Sequence, residues 1–157
     1  MTEAPAVAID LDGVLGDTRP LWRDWLVAAA PVLGVDLDTL PDDRVEAAAE
    51  LDRLGAGNWR TLLERFSEER APVYVRRNPS ASAALRGLSA AGCRLGVFTD
   101  APEPLARVTL SQLGADRRIV VVEAGEGARE RVLQALGPGA VVVTSREGLE
   151  RVSRERT

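Results

Sequence analysis

The sequence predicts an α/β fold, a Rossmann-like parallel sheet with a small helical cap inserted after the first strand. Three observations lead to this prediction. Short apolar runs alternate with helical patterns along most of the chain, which is typical of βαβ units. The first run ends in acidic residues and a glycine, at the edge where such sheets bind ligands. The segment between the first two runs is helical and far longer than the roughly twelve residues that a crossover needs.

Four apolar runs are candidates for buried parallel strands. They are residues 6–11, 94–98, 119–122 and 140–143. The alternation of strands and helices, together with the acidic segment that follows the first strand, leads us to expect the spatial order third, second, first, fourth. The acidic residues after the first strand and Thr99 after the second then meet at one carboxyl edge of the sheet.

Helical patterns fill the rest of the chain. Those that alternate with the strands are residues 80–91, 102–113, 127–136 and 147–154. Those between the first two strands are residues 20–33, 41–54 and 58–70, separated by GVDLD and GAG breaks. We therefore expect an α/β core made of residues 1–18 and 76–157, and a helical cap of residues 19–75 above the carboxyl edge.

The three tryptophans all fall in the predicted cap, at Trp22, Trp25 and Trp59. They either line a substrate pocket or pack against one another, and burial is the usual arrangement of aromatic side chains on helices.

Composition narrows the classes of function. An apolar content of 45% is typical of a globular protein that buries a core. The net charge of −4 gives no positive field for collecting phosphates, so nucleic acid is not expected as a partner. Uncharged stretches such as residues 25–35 are too short to cross a bilayer, and we expect a soluble, cytoplasmic protein. Cys93, the single cysteine, is expected to be a buried thiol.

The chain contains no histidine. This excludes serine and cysteine nucleophiles activated by histidine and every metal site built on imidazole. Catalysis must therefore use carboxylates, hydroxyls, arginine or a metal bound by carboxylates.

The strongest functional signal is the segment DLDGVLGDT, residues 10–18, directly after the first strand. Asp10 and Asp12 both leave the strand toward the ligand edge, and Gly13 permits the unusual turn that follows. Carboxylates in this position suit magnesium and a phosphoryl group. The alternative is an Asx turn with solvated carboxylates.

This segment resembles the first motif of the haloacid dehalogenase superfamily, Asp-x-Asp-Gly-[Thr/Val]-[Leu/Val]-x-Asp. The resemblance implies that Asp10 is a nucleophile that becomes an aspartyl-phosphate, and that Asp12 protonates the leaving group and then activates water. It also implies Mg²⁺ as cofactor, bound by the Asp10 carboxylate and the Asp12 backbone carbonyl. A receiver-like domain shares the parallel sheet, but it predicts a lysine near the last strand and does not explain the insert.

The second motif of that family is a Thr or Ser at the end of the second strand, and Thr99 stands there. By resemblance, Thr99 and Asp100 are candidates for binding the phosphoryl group; alternatively, one of them caps the following helix. The order of the motifs, with helices between them, resembles the phosphoglycolate-phosphatase-like members of the family.

The third motif is a lysine ahead of the fourth strand, and this chain has no lysine. Arg129 or Arg131 occupies that region and either supplies the missing cation or lies on the surface of a helix.

The fourth motif supplies acids for magnesium after the fourth strand. Here Ser145 stands at the position of the metal-binding Asp and Leu149 at that of the second acid. Glu147 and Glu150 are either replacement ligands or exposed helix residues, and Arg146 brings a positive charge instead.

The resemblance therefore implies an Mg²⁺-dependent phosphohydrolase of weakened activity that acts on a small phosphorylated metabolite. The alternative is a catalytically impaired relative that serves as a binding or regulatory partner.

Overall fold

A four-stranded parallel sheet forms the centre of the computed structural model, which describes residues 5–156. Its strands are β1 (Ala6–Asp10), β2 (Arg94–Thr99), β3 (Ile119–Ala124) and β4 (Val141–Val143). They lie in the order β3-β2-β1-β4, which confirms the predicted order. All four are short runs of mainly apolar residues, as expected for strands covered on both faces.

The register of the sheet places the ends of β1 and β2 side by side. Asp10 lies opposite Phe98, and the backbone N–H of Leu11 donates to the carbonyl of Phe98 at 3.0 Å. Side chains that follow these two strands therefore emerge at the same carboxyl edge.

Seven α-helices accompany the sheet within residues 5–156. They are α1 (Arg19–Leu33), α2 (Arg44–Arg53), α3 (Trp59–Tyr74), α4 (Pro79–Ala90), α5 (Glu103–Leu113), α6 (Ala128–Leu136) and α7 (Arg146–Arg156). In the described chain, the segment between β1 and α4 contains no strand and consists of α1, α2, α3 and a short 3-10 turn (Leu37–Thr39). We call α1, α2 and α3 the cap helices.

Two cap helices differ in length from the prediction. Helix α2 begins at Arg44, not at residue 41, because the Asp43 carboxylate caps it by accepting the backbone N–H of Glu46 at 2.9 Å. Helix α3 continues past residue 70 to Tyr74 and includes Pro72.

Separate apolar clusters cover the sheet and fill the cap. One face of the sheet packs against α4, α5 and α7, with Leu88, Leu110 and Leu149 buried there. The other face packs against α6, with Val132 and Leu136 buried. Cys93 is a buried free thiol, as predicted.

The tryptophans form the centre of the cap cluster. The ring centroids of Trp22 and Trp25 lie 5.2 Å apart, and those of Trp25 and Trp59 lie 5.9 Å apart. All three side chains are buried, as the packing interpretation predicts, and Trp22 also lines a cavity in the cap. The same cluster includes Ala101 and Leu105, which belong to the β2–α5 connection and to α5, so cap helices and sheet domain share apolar contacts. None of the helices in the described range is long and apolar enough to cross a membrane.

Candidate active site

A loop that doubles back directly after β1 positions the two acidic residues of the first motif. Gly13 adopts a φ of 88°, a left-handed conformation that favours glycine. Its N–H donates to the carbonyl of Gly16 at 2.7 Å. The N–H of Asp12 donates to Asp10 Oδ1 at 3.2 Å. The turn therefore keeps both carboxylates at the carboxyl edge.

Both carboxylates line one cavity of about 460 Å³ above the sheet. The predicted site residues Asp10, Asp12, Thr99, Asp100 and Arg129 all line it. The structure thus brings together the residues that the resemblance selected from three separate parts of the chain.

The Asp12 carboxylate accepts four hydrogen bonds. Its Oδ1 accepts the N–H of Thr18 at 2.7 Å and the Thr18 hydroxyl at 2.6 Å. Its Oδ2 accepts the Thr99 hydroxyl at 2.9 Å and a guanidinium N–H of Arg44 at 2.6 Å. The carboxylate is therefore held rigidly and fully satisfied as an anion.

Thr18 connects this carboxylate to the start of the cap. It occupies the N-cap position of α1, yet its side chain makes no capping hydrogen bond. Instead the buried hydroxyl donates to Asp12, and helix α1 begins from a residue tied to the site. Two hydrogen bonds to Asp12 therefore hold the residue at which the cap begins.

Arg44 reaches the site from the first residue of α2. Only 5% of its side chain is exposed. It donates to Asp12, to the Thr18 hydroxyl at 2.6 Å and, through a short contact, to Asp100. Because a buried guanidinium is stable only with such partners, these contacts couple the cap to the carboxyl edge.

The two aspartates have pKa shifts in opposite directions. Burial raises the pKa of Asp10, and the neighbouring Asp12 charge raises it further. Burial also raises the pKa of Asp12, but the Arg44 charge and the hydrogen bonds from Thr18 outweigh it and hold that pKa below its ordinary value. In this arrangement Asp12 is the more firmly ionised of the pair.

Thr99 is the last residue of β2 and Asp100 follows it. Thr99 contacts Asp12, and Asp100 contacts Arg44. The Thr99 hydroxyl donates to Asp12 and accepts the N–H of Ala101 at 3.1 Å. Asp100 has a side chain that is 54% exposed and pairs with Arg44. Helix α5 is capped by neither residue, since its N-cap is Pro102.

The two arginines proposed for the third motif have different positions. Arg131 donates to Glu123 at 2.9 Å and to the carbonyls of Ala124 and Glu126, so its guanidinium is committed outside the cavity. Arg129 lines the cavity, with its guanidinium carbon 5.8 Å from the centre of the Phe98 ring. Of the two, Arg129 is the one that lines the cavity with Asp10 and Asp12.

The region of the fourth motif is used for structure. The Ser145 hydroxyl accepts the N–H of Gly148 at 3.0 Å and so caps α7. Arg146 donates to the carbonyl of Val14 at 3.1 Å, and Leu149 is buried in the core. Glu147 and Glu150 do not line the cavity that holds Asp10.

These residues do not complete a magnesium site. Among residues 5–156, no group of three or more acidic, histidine or cysteine side chains is arranged to hold a metal ion. Of the metal ligands that the resemblance implies, the groups at this edge are the Asp10 carboxylate and the Asp12 backbone carbonyl. Mg²⁺ prefers six oxygen ligands at near-octahedral positions and keeps several waters readily, so these two groups would leave most of its coordination sphere to water.

Arg44 and Thr18 are functional-site residues that the sequence analysis missed. Thr18 directly follows the last acidic residue of the first motif, and its position beside that motif could have marked it as a site residue. Arg44 is one of 20 arginines in the chain, and only the path of the cap brings it to Asp12.

A second cavity of about 740 Å³ lies on the cap side of Arg44. It shares Arg19, Arg44 and Asp100 with the first cavity, and its remaining lining mixes apolar and charged cap residues. The guanidinium of Arg44 therefore stands at the boundary between the two spaces.

Comparison with known proteins identifies phosphatases as relatives. The chain is 28% identical over 137 residues to a phosphoglycolate phosphatase of Xanthomonas campestris pv. campestris. The alignment covers 80% of this chain and 62% of that protein, so the chain spans about three fifths of the length of the curated relatives that it matches. No protein-family model matches the chain.

Solved structures share its fold. CbbY from Rhodobacter sphaeroides in complex with phosphate superposes with a TM-score of 0.68 at 22% identity, covering 98% of this chain and 83% of that one. A haloacid dehalogenase-like family hydrolase from Streptococcus pneumoniae has a TM-score of 0.57 at 17% identity, covering 99% and 82% of the two chains. The curated relatives confirm the predicted similarity to phosphoglycolate phosphatases, and the solved structures confirm the fold that the resemblance to the haloacid dehalogenase superfamily implied.

Proposed function

We propose that this chain, which has the haloacid dehalogenase fold and a phosphoglycolate-phosphatase-like sequence, hydrolyses a phosphomonoester of a small metabolite through an aspartyl-phosphate at Asp10, with weakened turnover. The observation that carries the proposal is the pairing of Asp10 and Asp12 in one cavity at the carboxyl edge, with Thr99 hydrogen-bonded to Asp12.

The first proposed step uses Asp10 as nucleophile. Its Oδ1 accepts the N–H of Asp12, which orients the carboxylate and leaves Oδ2 to attack phosphorus. A bond forms between Oδ2 and phosphorus while the bond from phosphorus to the ester oxygen breaks. The leaving oxygen takes a proton from the protonated form of Asp12, a minor species because the pKa of this carboxyl is lowered, and the alcohol departs.

The second proposed step reverses the role of Asp12. Its carboxylate takes a proton from water, the water oxygen attacks phosphorus, and the bond to Asp10 breaks to release inorganic phosphate. Thr99 and the Arg129 guanidinium, both at the cavity wall, are the proposed groups that contact the phosphoryl oxygens, with Asp100 at the rim.

The observed electrostatics support weakened turnover. A general acid needs a raised pKa, yet the pKa of Asp12 is lowered by Arg44 and Thr18 despite its burial. A nucleophile is best kept ionised, yet burial and the Asp12 charge raise the pKa of Asp10. Poor leaving groups, which depend on a proton from Asp12, should therefore be hydrolysed most slowly.

Mg²⁺ is the cofactor that the family resemblance implies, and we propose weak binding of it. The Asp10 carboxylate and the Asp12 carbonyl would hold the ion, and when bound it would reduce charge repulsion between nucleophile and phosphate. The absence of an acid at Ser145 is the main reason for expecting low affinity.

The names of the relatives support a phosphorylated substrate. The curated relatives are named phosphoglycolate phosphatase, and a structural neighbour was solved with phosphate. We extend this to a small phosphorylated metabolite for the present chain. A cytoplasmic location and the lack of nucleic-acid or membrane partners stay predictions.

A catalytically impaired protein that serves as a binding or regulatory partner is the second candidate. It is favoured by the saturation of Asp12, whose four hydrogen-bond donors include the cap residue Arg44. Such a protein would retain ligand binding at the cavity without turnover.

The test compares wild type with Asp10→Asn and Ser145→Asp on a panel of phosphometabolites in Mg²⁺. We expect slow wild-type hydrolysis, loss of at least about 10³-fold in Asp10→Asn because an amide cannot attack phosphorus, and faster turnover in Ser145→Asp. Trapping of radiolabelled phosphate on the protein, present in wild type and absent in Asp10→Asn, reports the covalent intermediate directly.

Two results would count against this function. Rapid wild-type turnover in Mg²⁺ would disprove the weakened site. Absence of any turnover dependent on Asp10, in both wild type and Ser145→Asp, would favour the binding-partner function.

A further inference from the structure

Two further cavities adjoin the cavity that holds Asp10 and Asp12, which we call the central cavity. We call the one of about 740 Å³ the cap-side cavity and another, of about 300 Å³, the side cavity. The residues shared with the central cavity are Arg19, Arg44 and Asp100 for the cap-side cavity and Val45, Asp100, Gly125 and Glu126 for the side cavity. A phosphomonoester with its phosphorus at Asp10 therefore has its alcohol in the central cavity or in one of these neighbouring spaces.

Carboxylates outnumber guanidinium groups in all three cavities, counted over residues 5–156. The central cavity has Asp10, Asp12, Asp100, Glu126 and Glu130 against Arg19, Arg44 and Arg129. The cap-side cavity has Asp38, Asp42, Asp43 and Asp100 against Arg19, Arg23 and Arg44. The side cavity has Asp52, Asp100, Glu103 and Glu126 against Arg60. An anionic group meets an excess of negative charge in each of them.

Most of these guanidinium groups are already paired. Arg19 and Arg60 each hold the carboxylate of a nearby aspartate by two hydrogen bonds, with donor–acceptor distances between 2.7 and 3.0 Å. Arg44 donates to Asp12 and to Asp100. Each of these three cations is therefore committed to a carboxylate of the protein itself.

Two guanidinium groups of the cavities remain. Arg129 is the group proposed to contact the phosphoryl oxygens, so it is not available to a second anion. Arg23 lies on α1 and lines the cap-side cavity without an ion pair to another described residue. Asp38, Asp42 and Asp43 line the same cavity and are also without an ion pair there. Unpaired carboxylates thus exceed unpaired guanidinium groups even where a free cation exists.

We propose that this protein acts on phosphomonoesters of uncharged alcohols and discriminates against alcohols that carry an additional anionic group. Such a group adds a charge that the lining repels, and an uncharged alcohol escapes this repulsion. The cap-side lining also includes Trp22, Leu26 and Leu40, which offer apolar contacts to an alcohol of this kind. This inference rests on the proposed function of the central cavity and narrows its substrate class. Phosphoglycolate, whose alcohol ends in a carboxylate, is then a poor substrate.

The experiment measures the binding of three phosphonates that share a head group and differ in charge at the other end. The probes are 3-hydroxypropylphosphonate, which is neutral at that end, 2-carboxyethylphosphonate, which is negative, and 3-aminopropylphosphonate, which is positive. Each has a carbon–phosphorus bond in place of the ester bond, so the proposed reaction does not consume it. Isothermal titration calorimetry on the wild-type protein in Mg²⁺ buffer gives the three dissociation constants.

We expect the carboxylate compound to bind at least about fivefold more weakly than the hydroxyl compound, as repulsion of about one unit charge a few ångströms away in water implies. The amine compound should bind as tightly as the hydroxyl compound or more tightly. A smaller penalty for the carboxylate, or weaker binding of the amine, would overturn the proposal. Failure of all three phosphonates to bind would overturn it as well, because the cavity would then hold no such ligand.

A double variant tests whether the lining charges cause this order. Asp42→Asn/Glu126→Gln removes an exposed carboxylate from each of the three cavities. The ratio of the carboxylate to the hydroxyl dissociation constant should fall by at least about twofold. Glu69→Gln/Asp116→Asn removes the same charge from exposed residues that line none of the three cavities, and its ratio should equal that of wild type. Equal ratios in the two double variants would contradict the charge mechanism.

A salt titration of wild type needs no variant. Added NaCl screens the interaction between exposed charges, so the same ratio should shrink as the salt concentration rises, and a constant ratio would overturn the proposal. None of these measurements needs turnover. Binding in the expected order without hydrolysis would remove only the phosphatase function, whereas Asp10-dependent hydrolysis without this order would remove only the discrimination.

Discussion

Asp10 and Asp12 show how two residues of one type acquire different properties two positions apart. Asp12 has four donors and a guanidinium partner. Asp10 has one backbone donor and lies beside two other carboxylates that raise its pKa. The difference comes from which neighbours the cap and β2 place around each side chain.

Asp10→Asn should therefore raise stability at neutral pH while abolishing turnover. Because burial and Asp12 raise the folded-state pKa of Asp10, its ionised form costs stability above that pKa. The cost disappears below about pH 3.9, where the carboxyl is protonated in the unfolded chain as well. The difference in Tm between Asp10→Asn and wild type should be positive at pH 7 and shrink as the pH falls.

Asp17→Asn is the matched comparison, and its change in Tm relative to wild type at pH 7 should have the opposite sign. Hydrogen bonds from Arg19 lower the pKa of Asp17, so its ionised form adds stability that is lost as pH falls through the folded-state pKa. The effect should be small because the pair is solvent-exposed. A lower Tm for Asp10→Asn than for wild type at pH 7 would contradict this electrostatic account.

At the scale of single elements, the β4–α7 connection shows how Ser145 can stand at the position of the fourth-motif Asp without loss of the fold. Ser145 precedes α7 and satisfies the N–H of Gly148. The helix then buries Leu149 and Val152 against the core. An N-cap requires a short side chain with an oxygen acceptor, a requirement that Ser and Asp meet equally well.

Ser145→Ala should consequently destabilise the protein by about 1 kcal/mol, whereas Ser145→Asp should leave stability within a few tenths of a kcal/mol of wild type. Urea unfolding monitored by circular dichroism measures both. Equal destabilisation by the two substitutions would show that the cap is not formed. This result also decides whether Ser145→Asp is a sound variant for the activity test.

At the scale of the whole molecule, the cap helices and the sheet domain share one apolar cluster. Leu105 of α5 is fully buried among the cap tryptophans and their neighbours. The cap is also joined to the sheet by the polar contacts of Arg44 and by an ion pair between Glu64 and Arg107 at 3.0 Å. These shared contacts predict that cap and sheet unfold together.

Unfolding followed by tryptophan fluorescence, which reports only on the cap, should coincide with unfolding followed by far-UV circular dichroism. Leu105→Ala should lower the free energy of unfolding by about 2–5 kcal/mol in both signals, because it leaves a cavity in the shared cluster.

Val32→Ala is the control for this pair of measurements. Val32 lies on α1 and is 74% exposed, so its truncation should change the free energy of unfolding by less than about 0.5 kcal/mol. Two separate transitions in wild type, or a Leu105→Ala effect confined to fluorescence, would show that the cap unfolds independently.

The sequence by itself determined the parallel sheet, its strand order and the place of Asp10, Asp12 and Thr99. The strands follow from local signals, since apolar runs and glycine turns act within short segments. Their order and the place of the three site residues follow from the alternation of strands and helices together with the first two motifs. The helix boundaries were predicted less well where a cap residue decided them, as Asp43 does for α2.

Only the tertiary structure decided the electrostatics of the site. Arg44 lies 32 positions from Asp12 in the chain, and no periodicity or motif marks it among the other arginines. Its role arises because the cap folds back over the carboxyl edge and buries one guanidinium against two carboxylates. Charge interactions depend on distance in space and on burial, and neither quantity is encoded in the local sequence around Arg44.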